Sequence, residues 1–246
     1  MSPLLFLHGV GGGRDAWEAQ VPYFAGLGYR AQAWNQPGYG DAAMVEPYDL
    51  EQVCAVLRSQ LESLGAPMIL VGHSMGGMVA QEAYARFPHL IKALVLGFTS
   101  PSFGGGNREF VEKFIAARIA PLDAGQSMAQ VAARLMPTMR GSRSHAQGLA
   151  HAERVMSAIA PATYRKAVQL LATFDRREQL PMIRVPTLLV AGAEDRTAPP
   201  AVLERMAQKI PGAEYVLLPG CGHLGPMDQP DEFNEALREF LARRKL

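Results

Sequence analysis

The chain has 246 residues, of which 48% are hydrophobic, and its 24 basic and 23 acidic side chains leave a formal net charge of +1. This length predicts one large domain with a sizeable core, and so small a charge excludes a long-range field that would attract nucleic acid or an anionic membrane. The two cysteines, Cys54 and Cys221, form no Cys-x-x-Cys pattern, so we expect neither a disulfide framework nor a zinc site.

The beginning of the sequence bears on localisation. Residues 1–13 read MSPLLFLHGVGGG, with a short apolar run and no preceding basic residues, which is not the pattern of a signal peptide. No apolar run of the sequence approaches the length that a membrane-spanning helix needs. We therefore expect a cytoplasmic protein whose partner is a small neutral molecule, with no nucleic acid and no membrane involved.

Short apolar runs alternate with segments of helical periodicity along most of the chain. Runs that are apolar throughout are typical of strands buried on both faces of a parallel sheet, and their alternation with helices predicts βαβ units. In chain order the predicted strands are PLLFLHG (3–9), YRAQAW (29–34), PMILVGH (67–73), IKALVLGF (91–98), VPTLLVAG (185–192) and AEYVLLPG (213–220). The predicted helices cover residues 15–27, 50–64, 75–87, 201–209 and 231–243.

The alternation stops in the interval between Ser100 and Arg184, which reads as four amphipathic helical pieces. Breaks between the pieces are predicted at Pro121, Pro137, Gly141 and Pro161. We expect residues 101–183 to form a helical cap, inserted into a core of residues 1–100 and 184–246. Methionine is adaptable apolar material, so four methionines either line a pocket or pack the cap onto the sheet: Met128, Met136, Met139 and Met156.

The third predicted strand runs into the following helix through GHSMG, residues 72–76. A serine between two glycines at a strand-to-helix turn is the pattern of a nucleophile elbow, in which a tight turn exposes the hydroxyl above the sheet. Small residues around a serine also occur in ordinary turns, but the strand before and the helix after favour the elbow. Ser74 is the predicted nucleophile.

A serine hydroxyl is a weak nucleophile until a base removes its proton, and the chain has six histidines. His223 follows the last predicted strand in GCGHLGPMD, at the edge where an open parallel sheet places its ligands. His223 is therefore the predicted base. His8 ends the first predicted strand and His73 adjoins the serine. Polar surroundings typical of a surface are predicted for His89, His145 and His151.

The predicted base needs a carboxylate that fixes its tautomer and stabilises the imidazolium. Residues 191–200, AGAEDRTAPP, place Glu194 and Asp195 at the end of the fifth predicted strand. Asp195 is favoured because it lies one residue further into the loop, and Glu194 stays as a rival. A helix-capping aspartate is the structural alternative for Asp195.

Glycines directly follow the first predicted strand, at positions 9, 11, 12 and 13. They leave backbone amides uncovered, so the N–H groups of Val10 and Met75 are the predicted donors to an oxyanion. The same stretch competes as a dinucleotide-binding loop, but Arg14 replaces the third glycine of G-x-G-x-x-G, and AWNQPG ends the next strand without an acidic residue. We expect no metal and no organic cofactor.

Four segments in this order, LHGVGGG, GHSMGG, AGAEDRTAP and GCGHLGPMDQPDEF, resemble the α/β-hydrolase superfamily. The resemblance implies an α/β-hydrolase fold in which Ser74, His223 and Asp195 form a catalytic triad. NQPGYGDA and the last segment resemble small esterases and enol-lactonases and, less closely, carbon-carbon bond hydrolases. The latter often carry a Trp directly after the catalytic histidine, where this chain has Leu224.

A second departure from the superfamily concerns the sheet. Members usually have an antiparallel hairpin before the strand that ends in His-Gly, but His8 stands close to the first residue here. We therefore expect a shortened sheet of six strands, all parallel, flanked by helices.

These residues predict a serine hydrolase that cleaves a small, largely apolar carboxylic ester or lactone through an acyl-enzyme. Two alternatives stay open: a carbon-carbon bond hydrolase of a ring-fission diketone, and a ligand receptor on the same fold. Three arginines could bind a substrate carboxylate, although solvated helix faces are favoured for them: Arg108, Arg118 and Arg134.

Overall fold

The computed structural model describes residues 3–65 and 67–246. Its strands are β1 Pro3–Leu7, β2 Arg30–Trp34, β3 Met68–His73, β4 Ile91–Gly97, β5 Thr187–Gly192 and β6 Glu214–Leu218. They form one six-stranded sheet in the order β2-β1-β3-β4-β5-β6, and each neighbouring pair is parallel. The predicted parallel sheet is confirmed. An isolated antiparallel bridge between Ser102 and Asp175 lies outside the strands.

The helices of the described residues match most of the predicted ones. They are α1 Gln20–Gly26, α2 Leu50–Ser63, α3 Met75–Arg86, α4 Arg108–Asp123, α5 Met128–Met139, α6 Ala146–Ser157, α7 Pro161–Leu171, α8 Pro200–Lys209, α9 Gly225–Asp228 and α10 Pro230–Arg243. The predicted helix over residues 15–27 is divided, because a 3₁₀ turn at Arg14–Trp17 precedes α1. In the two described ranges, no helix is both long and apolar enough to cross a bilayer.

The central strands are apolar throughout because helices cover both faces of the sheet. Successive side chains of a strand point to opposite faces. In β1, Leu4 and Phe6 belong to one hydrophobic core, whereas Leu5 and Leu7 belong to a second core on the other face. Burial of each such side chain stabilises the fold by roughly 1.5–3 kcal/mol.

The chain between β4 and β5 forms the helices α4, α5, α6 and α7. Pro121 lies inside α4 and Pro137 inside α5, so the predicted breaks at these two prolines are wrong. Each proline stands near the end of its helix, where its missing N–H and its ring disturb only the last turn. By contrast, Pro161 begins α7 and Gly141 lies between α5 and α6. The division into a core and a cap at residues 101 and 183 stays a prediction.

Candidate active site

Ser74 occupies a tight turn between β3 and α3, with φ 54° and ψ −119°. A side-chain-bearing residue in this backbone region costs of order 1–3 kcal/mol. A Cβ atom at Gly72 would overlap the carbonyl oxygen of Gly76, and one at Gly76 would overlap that of Leu7. Only glycine fits at either position, so close backbone packing on both sides holds the serine in its strained conformation.

The Ser74 hydroxyl makes no hydrogen bond to the backbone of α3. Ser74 is the N-cap residue of α3, yet its side chain makes no capping hydrogen bond. Its Oγ lies 3.1 Å from Nε2 of His223. The backbone of the serine is fixed to the end of β4, since its N–H donates to Gly97 O at 2.9 Å and its carbonyl accepts from Thr99 Oγ1 at 2.8 Å.

His223 and Asp195 form a buried pair, 5% and 3% exposed. Nδ1 of the histidine lies 2.8 Å from Oδ2 of the aspartate. The second oxygen, Oδ1, accepts from the amides of Thr197 and Ala198 at 2.7 and 2.9 Å. The carboxylate is thus oriented by the turn, and it favours the imidazole tautomer with its proton on Nδ1. In that tautomer the lone pair of Nε2 faces the hydroxyl of Ser74.

Glu194, the rival carboxylate, lies outside this arrangement. Its exposed side chain accepts from Ser142, with Oε2 at 2.8 Å from the backbone N and Oε1 at 2.5 Å from the hydroxyl. The Ser142 hydroxyl is the main cause that lowers the pKa of the Glu194 carboxyl. Glu194 therefore joins the end of β5 to the segment between α5 and α6, while Asp195 faces the imidazole.

The glycine-rich loop after β1 packs directly on the elbow. A Cβ atom at Gly9 would lie 3.0 Å from Cβ of Ser74 and 3.1 Å from Nδ1 of His73. Among hydrogen bonds within the described residues, the amides of Val10 and Met75 have no protein acceptor. Met75 also begins α3, where the helix dipole is positive. Both amides are free for a ligand, and their role as oxyanion donors stays a prediction.

Two histidines without a predicted role are buried beside the site. Nε2 of His73 donates to the carbonyl oxygen of His223 at 2.7 Å, and burial lowers the pKa of His73 to about 3. His8 Nδ1 lies 2.8 Å from Gly9 O, its Nε2 accepts from Gln36 N at 3.1 Å, and burial lowers its pKa to about 4. Both imidazoles are neutral near pH 7 and fix backbone next to the elbow. In the sequence, both histidines adjoin a glycine motif, and this position is the signal for a role beside the elbow.

The remaining histidines lie away from the hydroxyl. His89 and His145 are exposed, as predicted. The surface position predicted for His151 is wrong, since it is 9% exposed and its Nε2 donates to Asp15 O at 2.9 Å. Glu153 and Arg154 follow it in α6, but His151 lies on the side of the helix that packs against the 3₁₀ turn at Arg14–Trp17. Local polarity of the sequence did not indicate this tertiary contact.

A cavity of about 100 Å³ opens over Ser74 and His223. Its wall is largely apolar and includes Val10, Phe98, Phe103, Phe114, Val168, Leu171, Leu224 and Met227. Three of the four methionines considered above also line it: Met136, Met139 and Met156. Met128 is instead part of the buried core. The inserted helices thus use methionine both to line the pocket and to pack against the rest of the protein.

The sequence matches the family model of the alpha/beta hydrolase fold over residues 2–230. The chain belongs to this family and is a hydrolase of the α/β-hydrolase superfamily, so the resemblance predicted from the motifs is confirmed. A curated pimeloyl-[acyl-carrier protein] methyl ester esterase of Aromatoleum aromaticum is 30% identical, covering 93% of this chain and 94% of that protein. The putative non-heme bromoperoxidase BpoC of Mycobacterium tuberculosis is 27% identical, with coverages of 99% and 95%.

A solved structure shows the same similarity in three dimensions. The thermophilic esterase from Thermogutta terrifontis, determined with malate bound, superposes with a TM-score of 0.89 at 26% sequence identity. The superposition covers 99% of this chain and 90% of the esterase. The fold is therefore shared along nearly the whole described length of the protein.

Proposed function

We propose that the protein is a carboxylic ester hydrolase that cleaves small, largely apolar esters or lactones through a covalent acyl-enzyme. The observation that carries this proposal is the continuous contact from the Ser74 hydroxyl through the His223 imidazole to the buried Asp195 carboxylate. An alcohol, a base and an orienting acid within hydrogen-bond reach of one another are what activation of a serine requires.

In the proposed reaction, Oγ of Ser74 attacks the carbonyl carbon while Nε2 of His223 takes the hydroxyl proton. The amides of Val10 and Met75 donate to the negative oxygen of the tetrahedral intermediate. The ester bond then breaks, the leaving alcohol takes the proton from His223, and the acyl group stays on the serine. A water molecule then attacks the acyl carbon while Nε2 of His223 takes its proton. The bond to Oγ breaks, the proton passes from His223 to Oγ, and the free acid and the Ser74 hydroxyl result. Asp195 stabilises the imidazolium in both halves of the reaction.

The surroundings of the hydroxyl support small substrates of low polarity. The cavity above it is about 100 Å³ in volume and has a largely apolar wall. A relative that is 30% identical is described as a methyl ester esterase, which supports an ester as the substrate class. No metal and no organic cofactor takes part in the proposed steps. The cytoplasmic location and the small-molecule partner stay predictions.

Replacement of the nucleophile tests the proposal directly. We expect Ser74→Ala to lower kcat for p-nitrophenyl acetate or butyrate by about a millionfold, because losing a triad serine removes the covalent route. Ser59→Ala is the matched control, since Ser59 is exposed on α2 and its hydroxyl donates to Ala55 O. Near-native turnover by Ser74→Ala would show that the chemistry uses another group.

Two further measurements separate the alternatives predicted from the sequence. A fluorophosphonate probe should label Ser74 in the wild-type protein, and peptide mass spectrometry would locate the adduct; a receptor with an inactive site would stay unlabelled. A ring-fission diketone in the same substrate panel tests carbon-carbon bond cleavage. We expect faster turnover of esters and lactones than of the diketone.

A further inference from the structure

One cation lies in the otherwise apolar wall of the cavity. Among the described residues that line it, Arg118 on α4 alone carries a permanent charge. The side chain is half-buried. A partly desolvated charge in an apolar wall is unfavourable unless an anion or strong hydrogen-bond acceptor pairs with it. A negatively charged group beside Arg118 would therefore offset the cost of its partial burial.

Two other arginines of this region pair with carboxylates, whereas Arg118 forms no such pair within the described residues. Arg108 pairs with Glu112 at 3.0 Å, and Arg165 pairs with Asp123 at 2.6 Å. In the described part of the chain, no carboxylate lies within salt-bridge distance of Arg118. The helix positions three and four residues away are all apolar: Phe114, Ile115, Pro121 and Leu122. Arg118 thus lies on the apolar side of α4, away from the exposed ion pairs.

Two aromatic residues position the guanidinium. Its central carbon lies 4.8 Å from the ring centroid of Phe114, one turn earlier on α4. Tyr164 of α7 also lines the cavity and is 1% exposed. Burial raises the pKa of the Tyr164 phenol, and the charge of Arg118 and its hydrogen bond to the phenol oppose that rise. The phenol is thus a neutral partner of the guanidinium. A guanidinium has five N–H donors, and a face that stacks on a ring leaves its edge donors available to a ligand.

We propose that Arg118, with the Tyr164 hydroxyl, binds an ionised carboxylate of the substrate at a distance from the scissile carbonyl. The preferred substrates are then esters or lactones that carry a second, free carboxylate. This inference rests on the proposed ester hydrolysis and names its substrate class. The planar guanidinium matches a carboxylate through paired N–H···O bonds, and the apolar wall between the two ends of the substrate accommodates a short hydrocarbon chain.

Matched substrate pairs test this inference. In one series the carboxylate is on the acyl side, as in p-nitrophenyl hemiesters of succinate, glutarate and adipate, compared with uncharged acyl esters of equal length. In a second series it is on the alcohol side, as in 4-acetoxybenzoate compared with phenyl acetate. We expect the wild-type protein to prefer the carboxylate member of at least one series by kcat/KM.

The variant Arg118→Met should lower kcat/KM for the preferred carboxylate substrate by about ten- to a hundredfold, mainly through KM, because a charge-assisted hydrogen bond is lost. The ratio of kcat/KM for the carboxylate substrate to kcat/KM for the uncharged ester of equal length should fall by about tenfold or more, since only the carboxylate loses a charged partner. Arg108→Met is the matched control on the same helix, since the Arg108 side chain is 91% exposed. Thermal unfolding checks that each variant is folded, and Arg118→Gln replaces Arg118→Met if the latter is not.

A binding measurement keeps the two proposals separate. We expect glutarate or adipate to bind the wild-type and Ser74→Ala proteins in calorimetry, and to bind Arg118→Met at least about tenfold more weakly. If uncharged esters are hydrolysed but neither series shows a carboxylate preference that Arg118→Met removes, the anion site is refuted and ester hydrolysis stands. If no ester is hydrolysed but dicarboxylate binding depends on Arg118, the proposed chemistry fails and the anion site stands. Loss of both refutes both.

Discussion

Glu194 and Asp195 are adjacent in the sequence and have different surroundings in the fold. Asp195 is 3% exposed, and its two oxygens contact the His223 imidazole and two amides of its own loop. Glu194 is exposed and accepts hydrogen bonds from Ser142. Both residues lie in the turn after β5, where the Asp195 N–H donates to Gly192 O at 3.2 Å. The backbone of this turn directs the two adjacent side chains to different surroundings, so a single position in the loop decides which carboxylate meets the base.

We expect Asp195→Ala to lower kcat for the p-nitrophenyl esters by about ten thousandfold. This loss is smaller than that of Ser74→Ala, because the serine and the imidazole stay in place and only their orienting acid is removed. The paired variant Glu194→Ala loses only hydrogen bonds to an exposed serine. Its kcat should stay within about twofold of the wild-type value. The reverse ranking of the two variants would assign the acid to Glu194.

The helix α3 directly follows the proposed nucleophile, since Ser74 is its N-cap residue. Its residues from Met75 to Ala83 are buried without exception, so this helix lies within the protein rather than on its surface. Close approach to the sheet requires glycine where backbones meet, and a Cβ atom at Gly77 would lie 2.7 Å from Thr99. The glycines of the motif thus serve the packing of the whole helix as well as the turn at Ser74.

We therefore expect Gly76→Ala to lower the free energy of unfolding by at least about 3 kcal/mol, because the added methyl group overlaps backbone of β1 that cannot move aside. Gly26→Ala is the control, since Gly26 of α1 has no atom within 4 Å of the added Cβ. That variant should be stabilised by about 0.5–1 kcal/mol. Urea unfolding followed by circular dichroism measures both, and equal midpoints would contradict the packing argument.

Several ionisable side chains are buried at one edge of the sheet. His8 and His73 are neutral there, with pKa values lowered by burial to about 4 and about 3. Asp228 is also buried, and desolvation raises the pKa of its carboxyl. Its side chain accepts a short hydrogen bond from the Ser144 hydroxyl. A buried acid at the end of α9 thus links this helix to the segment between α5 and α6.

These groups predict a stability that depends on pH. Unfolded histidines titrate near 6.5, so between that value and the lowered folded pKa values the unfolded state binds more protons. The stabilisation is fully present above about pH 6.5, and each imidazole then removes about 1.4 kcal/mol per pH unit as the pH falls. Asp228 acts in the opposite sense, since a raised carboxyl pKa contributes stability at low pH and loses it as the pH rises.

With two imidazoles against one carboxyl, the net free energy of unfolding should decrease from about pH 6.5 towards pH 5. Urea unfolding at about pH 7.5, 6 and 5 measures the slope. The variant His73→Asn removes one of the two titrating imidazoles and should reduce the slope by at least about half, since Asp228 opposes the remaining imidazole. A wild-type stability that does not change over this range would contradict neutral burial of the two histidines.

Much of the fold follows from local patterns in the sequence. The predicted strands agree with the observed ones to within about two residues. Strands of a parallel sheet that are buried on both faces are apolar throughout, so their ends coincide with the ends of the apolar runs. The predicted breaks at Pro121 and Pro137 are wrong, because each proline removes one N–H···O bond and its helix continues for two residues beyond it. The sequence favours a solvated helix face for Arg118, whereas the structure places it in the cavity wall. The sequence does not show which face of α4 meets α7.

Hydrophobic periodicity and glycine placement act over a few neighbouring positions, so the α/β architecture, the motifs and the candidate residues could be predicted from the sequence. Which of those residues meet depends on long-range packing. Ser74 and His223 are 149 positions apart, and their contact depends on the parallel strands ending at one edge of the sheet. The same convergence separates Asp195 from Glu194, buries His73 beside the elbow and places Arg118 in the cavity wall.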